Sequence, residues 1–174
     1  MDLNTGSYSP DEVLVIVSHK SLGVDHVVGG FSEGTFITAE RAEPTSVSVR
    51  AVRGSGGRIK RVIREGTITL NLNSMSSSND VLDKLFQLDE ISNDTTGFFT
   101  LSIADKTGRS WVYGKECYIS IQPSAEFSTE ESQKSWQIIC GNLQIEHGGN
   151  AVIPEEIVAQ IEALGFTVPE RWRE

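Results

Sequence analysis

The stretch GTITLNLN, residues 66–73, shows the most regular alternation of apolar and polar residues in the chain. Ile68, Leu70 and Leu72 share one side of an extended strand, because successive side chains of a strand point to opposite faces. The other side carries only small or uncharged polar residues: Thr67, Thr69, Asn71 and Asn73. Such a strand is typical of an antiparallel sheet that buries one face and exposes the other.

Strand patterns dominate on both sides of this stretch. Residues 12–19, EVLVIVSH, form a continuous apolar run that predicts a buried strand. Two strand pieces within 35–52 are separated near Pro44, which cannot donate a hydrogen bond to a sheet. Residues 97–123 alternate on both sides of a DKTG turn and predict a hairpin. The segment 20–35 contains four glycines and is predicted to be a long loop or a bent edge before the next strand.

The last strand pattern, SWQIICGNLQIEHGG at 135–149, changes phase part-way along. Its apolar residues occupy even positions up to Cys140 and odd positions from Leu143 onward. A glycine lies between the two halves, and glycine inside a strand often marks an extra residue. We therefore predict a β-bulge at Gly141.

Two segments carry the apolar spacing of helices. In the segment 77–92, Ser77 and Asp80 have the spacing of a capping box, and apolar residues follow three or four apart. This segment is predicted to form one helix that packs on the sheet. A second helix is predicted between Pro154 and Gly165, because proline favours the first turn and glycine the end. Its apolar stripe is Ile157, Ile161 and Leu164.

The charge of the chain is unevenly distributed. The 174 residues carry a formal net charge of −9. Residues 1–64 hold 8 Lys+Arg and 7 Asp+Glu, a net +1, whereas residues 65–174 hold 7 and 17, a net −10. A surface this acidic repels nucleic acid, because affinity for DNA comes mainly from neutralised phosphates.

Basic residues lie on both sides of the glycine turn GSGG at 54–57. Two precede the turn and four follow it: Arg50, Arg53, Arg58, Lys60, Arg61 and Arg64. A phosphate-binding P-loop would need a lysine followed by Ser or Thr and then a helix, but GSGGRIK continues into a strand pattern. Stacking on bases would need interleaved aromatic residues, and none lies between Phe36 and Phe86. A charged hairpin tip or a contact with another protein fits the cluster better.

No pattern for catalysis, metal binding or a cofactor stands out. The three histidines are scattered, no G-x-S-x-G occurs, and an enzyme is not expected. Cys117 and Cys140 lie in apolar strand patterns and are predicted to be buried free thiols, with a disulfide as the minor alternative. No apolar run is long enough for a membrane span, and no export signal is recognised.

The order of these patterns resembles the tail tube proteins of contractile-tailed bacteriophages. Four segments carry the resemblance: GGFSEGTFITAER (29–41), GSGGRIKRVIREGTITLNLNSMSSSNDVLDKLFQLDE (54–90), TGFFTLSIADKTGRS (96–110) and SWQIICGNLQIEHGG (135–149). Together they cover most of residues 12–149. The final residues depart from the pattern, so we expect a tube-like domain at 1–150 and a C-terminal helical extension at 151–174.

The resemblance implies a mainly β (α+β) fold, an antiparallel β-barrel or sandwich with one flanking α-helix and long loops, similar to type VI secretion tube proteins. It implies hexameric rings that stack into the hollow inner tail tube of a virion. Its implied partners are other copies of the chain and the sheath, baseplate and tail terminator proteins. Phage DNA would pass through the lumen without specific binding. Assembly is expected in the cytoplasm of the bacterial host, with no membrane partner.

Other assignments remain open from the sequence. The chain could be another tail component, such as a tail terminator or a baseplate adaptor, or a nucleic-acid-binding β-domain. The C-terminal extension could meet the sheath or a neighbouring subunit.

Two sets of residues are candidates for contacts in such a tube. The charge asymmetry suggests that a basic hairpin stacks on an acidic surface of the next ring, through Arg53, Arg58, Lys60 and Arg61. The polar face of the opening stretch suits either a lumen wall or a seam between subunits, and consists of Thr67, Thr69, Asn71 and Asn73.

Overall fold

Seven antiparallel strands form the main sheet of the computed structural model, which describes residues 6–174. These strands are β1 (Val13–His19), β2 (Val24–Val27), β3 (Ile37–Arg41), β6 (Gly66–Asn73), β7 (Phe99–Asp105), β8 (Trp111–Ile121) and β9 (Gln133–Glu146). Two further strands, β4 (Ser46–Arg50) and β5 (Gly56–Lys60), pair only with each other. The order across the main sheet is β2-β1-β7-β8-β9-β6-β3. The predicted mainly β, antiparallel class is confirmed, but the sheet is open and not a closed barrel.

The segment after β2 links the two edges of this sheet. It leaves the edge strand β2, and Phe31 then forms an antiparallel bridge with Leu72 of β6, on the side where β3 pairs. The backbone N–H of Gly29 donates to Oγ of Ser78 over 3.0 Å. Of the two interpretations predicted for 20–35, the bent edge applies to β2, which lies at the edge of the sheet, and the loop applies to the residues that follow it. These following residues hold the sheet edges near each other.

The core lies between the apolar face of the sheet and the helix α1 (Ser78–Ile91). The three apolar residues of β6 are fully buried, and their polar neighbours along the strand are half-exposed. Leu82 and Leu85 of α1 are buried in the same cluster. Trp136 of β9 donates a hydrogen bond from Nε1 to Oδ1 of Asn79 over 2.9 Å, which fixes the start of the helix to the sheet. The predicted alternation and the predicted helix are both confirmed.

The start of α1 differs from the predicted capping box. Ser77 already has helical backbone angles, and its side chain makes no capping hydrogen bond. The neighbouring Ser78 instead places its Oγ 2.9 Å from Nε2 of His26. Asn79 donates from Nδ2 to the carbonyls of Asn73 and Ser76. The start of α1 is thus held by His26 of β2 and by the carbonyls of the loop before the helix, and not by a capping side chain at Ser77.

The phase change of β9 occurs at Gly141, but the predicted bulge does not lie there between β8 and β9. Cys117 pairs with Cys140 and Lys115 pairs with Asn142, so the register of the two strands is the same on both sides of Gly141. At this level the buried side of β8 and the buried side of β9 both change from one set of alternate residues to the other. The sequence pattern of β9 alone cannot show that β8 changes with it.

Toward β6 the register does change at Gly141. Gly66 pairs with Cys140, but the N–H of Leu143 bonds to the carbonyl of Arg64. Strand β9 therefore has one extra residue there.

A further register shift lies between β7 and β8. Leu101 pairs with Gly114 and Phe99 pairs with Cys117, so two residues of β8 lie opposite one residue of β7. One of those two residues, Glu116, has a φ of 53°, in the left-handed region. The extra residue is a bulge in β8, and beyond it the residues of β8 that face the core are those of the opposite parity.

Cys117 and Cys140 face each other across β8 and β9 as buried free thiols, as predicted. The thiol of Cys117 donates to Sγ of Cys140 over 2.8 Å. This hydrogen bond, followed by burial, raises the pKa of the Cys117 thiol far above its usual range.

The C-terminal helix α2 (Glu155–Ala163) builds a second, smaller cluster. Ile153, Val158 and Val168 are buried, with Ile157 and Ile161 packed against them. The predicted stripe is thus right for two residues and wrong for its third, because Leu164 is 76% exposed. Leu164 lies at the C-cap, where the chain leaves the helical path and the side chain no longer follows the buried stripe.

Gly165 ends α2, as predicted. Its φ of 88° is a conformation that side chains disfavour. Its N–H bonds to the carbonyl of Glu162, and the N–H of Phe166 bonds to that of Ile161, which together form a Schellman motif. No helix among the described residues is long and apolar enough to cross a membrane.

Leu70→Ala should lower the free energy of unfolding by about 2–5 kcal/mol, because it leaves a cavity where a fully buried side chain was. Thr69→Ala, on the outward face of the same strand, should cost less than about 1 kcal/mol. Urea denaturation followed by tryptophan fluorescence measures both. Equal losses for the two variants would contradict the one-sided burial of β6.

Neither cysteine of the folded protein should react with a thiol reagent such as 5,5′-dithiobis(2-nitrobenzoate) at pH 8. The reagent needs a thiolate, and both burial and the raised pKa of Cys117 keep that thiol protonated. The same protein in 6 M guanidinium chloride is the control and should release two equivalents of dye, one for each cysteine. Rapid labelling without denaturant would show that β8 and β9 open readily.

Candidate functional site

The predicted basic turn forms a hairpin that stands apart from the main sheet. Its ladder runs from the pair Ser46 and Lys60 to the pair Arg50 and Gly56. At the base, the N–H of Ala42 bonds to the carbonyl of Glu65 over 3.0 Å. We call residues 45–64 the basic hairpin, because they contain six Lys+Arg and no Asp or Glu.

A tight turn closes the basic hairpin at the predicted glycines. The N–H of Ala51 donates to the carbonyl of Ser55 over 2.8 Å, and Gly54 has a φ of 81°. Glycine adopts this left-handed conformation without steric cost, which explains the glycine-rich sequence of the turn.

The basic hairpin has two different faces. Directly opposed residues of antiparallel strands share a face, so Arg50, Arg58 and Lys60 lie on one side with two serines of β4. The other side carries three apolar side chains that remain 54%, 44% and 53% exposed: Val47, Val49 and Ile59. A surface with both an apolar and a cationic face suits docking on another protein.

The four basic residues predicted to stack do not all lie on the same face of the hairpin. Arg58 and Lys60 lie together on the cationic face. Arg61 is bonded through its N–H to the carbonyl of Thr45, which places its side chain on the apolar face at the base. Arg53 lies in the turn. All four side chains are exposed.

The four residues predicted to stack do not include Arg50, which belongs to the basic cluster of the sequence and lies on the cationic face. The signal that could have found it is the two-residue period of the strand, combined with the pairing that the turn imposes. The salt bridges recorded among residues 6–174 involve none of the basic residues of the hairpin. Their charges are therefore available to a partner.

The predicted polar face lies on β6, between β3 and β9. Thr69 is flanked by Thr38 and Gln137 in register, so both of its directly opposed neighbours are uncharged. Thr67 is flanked on one side by Glu40. Both threonines are half-exposed and point away from the core.

The two asparagines of the same face serve mainly to hold nearby segments. Asn71 donates from Nδ2 to the carbonyl of Thr35 over 2.8 Å and accepts from Oγ of Ser135 over 2.8 Å. Asn73 donates from Nδ2 to a carboxylate oxygen of Glu131. The four predicted residues therefore share one face, but the two asparagines are engaged in these side-chain hydrogen bonds and the two threonines are not.

A groove of about 850 Å³ separates the C-terminal extension (residues 151–174) from residues 146–149. Its walls are mostly apolar and include Ile157 and Phe166. Arg109 closes one side by donating to the carbonyl of Ala151 over 2.6 Å. Its guanidinium carbon also lies 4.7 Å from the ring centre of Trp172. Among residues 6–174, no group of His, Cys, Asp or Glu side chains is arranged to hold a metal ion.

The fold is similar to chains of contractile injection systems solved by electron cryo-microscopy. A chain of the extended PVC sheath–tube complex matches with a TM-score of 0.51 at 10% identity, covering 80% of this chain and 91% of that one. A chain of the extended PVC sheath/tube terminator matches with a TM-score of 0.53 at 10% identity, covering 82% and 99%. At this identity the likeness concerns the fold alone.

The sequence itself has a clear relative and a matching family. The structural protein ORF10 of Pseudomonas phage KPP10 is 30% identical over 168 residues, which is 97% of each chain. The model of the family described as the bacteriophage PhiTE tail tube protein matches residues 8–148. The chain therefore belongs to this family of phage tail tube proteins and is a structural component of the tail, not an enzyme.

Proposed function

We propose that the chain assembles into hexameric rings that stack head to tail into the hollow inner tube of a contractile phage tail. DNA leaves the virion through the lumen of this tube. The observation that carries the proposal is the basic hairpin, whose apolar and cationic faces are both open to solvent in a chain of the tail tube family. The fold shared with chains of injection systems supports the contractile type of tail.

The basic hairpin is suited to stacking because it is incomplete by itself. A two-stranded hairpin is at best marginally stable in water, and this one lacks cover on both faces. Docking on a neighbouring ring would bury Val47, Val49 and Ile59, each worth about 1 kcal/mol for the part that is now exposed. The same contact would give the three cationic side chains an acidic partner.

Ring formation follows from the edges of the main sheet. The edge strands β2 and β3 pair with a neighbour on one side only within the chain. Joining one edge to the opposite edge of the next copy would satisfy the free backbone groups and remove a site of uncontrolled pairing. Such a contact uses two different surfaces, and it closes into a ring when the rotation per copy allows it.

We assign the outward face of β6 to the lumen wall and not to a seam. β6 already has a partner strand on each side, so its backbone is not free to pair with another copy. Thr67 and Thr69 give this face small, uncharged side chains. A weakly interacting wall on a protein of net charge −9 lets DNA slide without adhering.

The partners of the tube follow from its place in the tail. The sheath would contact the outside of the tube, and baseplate and terminator proteins would contact its two ends. Virion assembly would take place in the cytoplasm of the bacterial host.

A tail terminator is the second candidate, because terminator and cap chains share the fold. Besides the PVC terminator, a chain of the anti-feeding prophage cap matches with a TM-score of 0.50 at 11% identity, covering 82% of this chain and 92% of that one. A terminator would form discrete rings, whereas a tube protein extends by adding rings. The images described next separate the two.

Purified protein at high concentration should form long hollow rods in negative-stain electron microscopy. Arg58→Glu with Lys60→Glu should abolish the rods, because the change reverses the charge of the cationic face while the chain remains folded. Lys20→Glu with Lys106→Glu changes the net charge equally on exposed residues outside the hairpin and should leave the rods intact.

Discrete rings from the unmodified protein would favour the terminator. Normal rods from the hairpin variant would contradict stacking through the cationic face. Tight, salt-sensitive DNA binding in a gel-shift titration would instead support the nucleic-acid-binding alternative.

We also propose that residues 151–174 are a separate element docked on the tube domain. Their cluster is distinct from the main core, and the family model ends at residue 148, near the predicted boundary at 150. The first five residues of the predicted domain 1–150 lie outside the described residues. The KPP10 protein aligns over 168 residues, so that relative extends beyond the part that the family model covers.

Trp172→Ala should make the extension more sensitive to limited proteolysis, because it removes the ring against which Arg109 packs. The urea midpoint of the main sheet should change little. Phe166→Ala, on an exposed residue of the same extension, is the matched control and should not speed cleavage. A parallel loss of core stability in Trp172→Ala would contradict the separate element.

A further inference from the structure

We propose that the acceptor of the basic hairpin is the loop of residues 122–132 in the next copy of the chain. This inference rests on the proposed head-to-tail stacking and names the surface that completes it. We call residues 122–132 the acidic loop; it connects the end of β8 to the start of β9.

The acidic loop carries an exposed aromatic residue among negative charges. Phe127 is 99% exposed, so its ring contacts almost nothing in its own chain. The loop contains three glutamates and no lysine or arginine: Glu126, Glu130 and Glu131. An apolar group surrounded by one sign of charge has the character of a docking surface for an apolar and cationic partner.

The basic hairpin and the acidic loop lie at opposite ends of one strand. The hairpin emerges between Arg41 and Gly66, which pair at the first residue of β6. The loop returns to the sheet where Gln133 pairs with Asn73, the last residue of β6. The first and last of the eight residues of β6 are seven steps of about 3.3 Å apart, so the two ends are separated by roughly 23 Å.

Because the two surfaces lie at opposite ends of β6, the basic hairpin cannot contact the acidic loop of its own chain. The proposed contact is therefore between two copies. The basic hairpin is attached at the end of β6 that is distant from the acidic loop. A second copy displaced along the direction of β6 presents its acidic loop to the basic hairpin of the first. The two surfaces differ, so each copy keeps one free hairpin and one free loop, and stacking continues without closing.

The chemistry of the two surfaces is complementary in both charge and apolarity. The basic hairpin has six positively charged residues and no negatively charged one. The acidic loop has three negatively charged residues and no positively charged one. Val47, Val49 and Ile59 offer an apolar strip for Phe127. The neighbouring arginines can also pack on the face of the phenylalanine ring, a favourable cation–π arrangement.

Another acidic surface, the C-terminal extension, is placed less suitably. It has five acidic and two basic residues. It follows β9, whose last residue Glu146 lies six residues beyond the level at which Cys140 pairs with Gly66. The extension therefore begins at the same end of the sheet as the hairpin, and a head-to-tail displacement does not bring the two together.

The test is a charge exchange between two variants. The hairpin-reversed variant is Arg58→Glu with Lys60→Glu, and the loop-reversed variant is Glu126→Lys with Glu130→Lys. Glu131 is left unchanged because it bonds to Asn73 within the chain. Circular dichroism checks that each variant is folded.

Neither variant alone should form rods. In the hairpin-reversed variant, the cationic face of Arg50, Arg58 and Lys60 changes from +3 to −1 and faces a loop of −3. In the loop-reversed variant, the loop changes from −3 to +1 and faces an unchanged basic hairpin. An equal mixture should form rods, since each variant offers the surface that the other requires. Negative-stain electron microscopy and sedimentation of assembled material measure the outcome. Rods that appear only on mixing assign the hairpin of one copy to the loop of the next.

Two controls match these variants. Glu155→Lys with Glu156→Lys makes the same charge change on exposed residues of the C-terminal extension, and it should form rods by itself. Phe127→Ser should lose rods, whereas Phe166→Ser should retain them, although both remove an exposed phenylalanine.

Normal rods from the loop-reversed variant alone would overturn this inference and leave the proposed tube in place. Failure of the mixture to form rods, with both variants folded, would also overturn it. Absence of rods from the unmodified protein would instead reject the proposed function, and this inference with it.

Discussion

The one-sided burial of β6 is the constraint on which the rest of the structure depends. Three fully buried side chains fix which face of the strand meets the core, and a shift of one residue would expose all of them. That choice sets the register of β9 on one side and β3 on the other. It also directs Thr67 and Thr69 outward and fixes the basic hairpin and the acidic loop at opposite ends of the strand.

Regular local patterns made much of this fold predictable. The alternation of β6, the apolar run of β1 and the helical spacing of α1 each report burial along a single element, so the sequence suffices. Residues 20–35 were predicted only as a loop or a bent edge, because the four residues of β2 among glycines give too short a pattern to locate a strand. The bulge predicted at Gly141 is absent from the β8–β9 pair but present toward β6, where β9 has one extra residue between Cys140 and Leu143. The extra residue in β8 beside Glu116 was not predictable, because it depends on how β8 pairs with β7.

The candidate site was predictable in composition but not in arrangement. Glycines and basic residues identify the turn and its charge. The separation of Arg61 from Arg58 and Lys60 depends on which residues pair across the hairpin. The position of the acidic loop depends on strand order, because residues 122–132 are distant in sequence from the basic hairpin and become related to it only through β6 and β9.

The charges of the basic hairpin have two consequences that belong together. An exposed hairpin with an apolar face invites pairing with any other strand, and like charges on every copy oppose that pairing. Two free chains therefore repel each other hairpin to hairpin. In the proposed tube, this repulsion would end only where a surface of opposite sign meets the hairpin. The charges that keep free chains apart would then also select the orientation in which we propose that copies stack. A purely apolar hairpin would adhere more widely and would lack this orientation, because hydrophobic attraction has no direction.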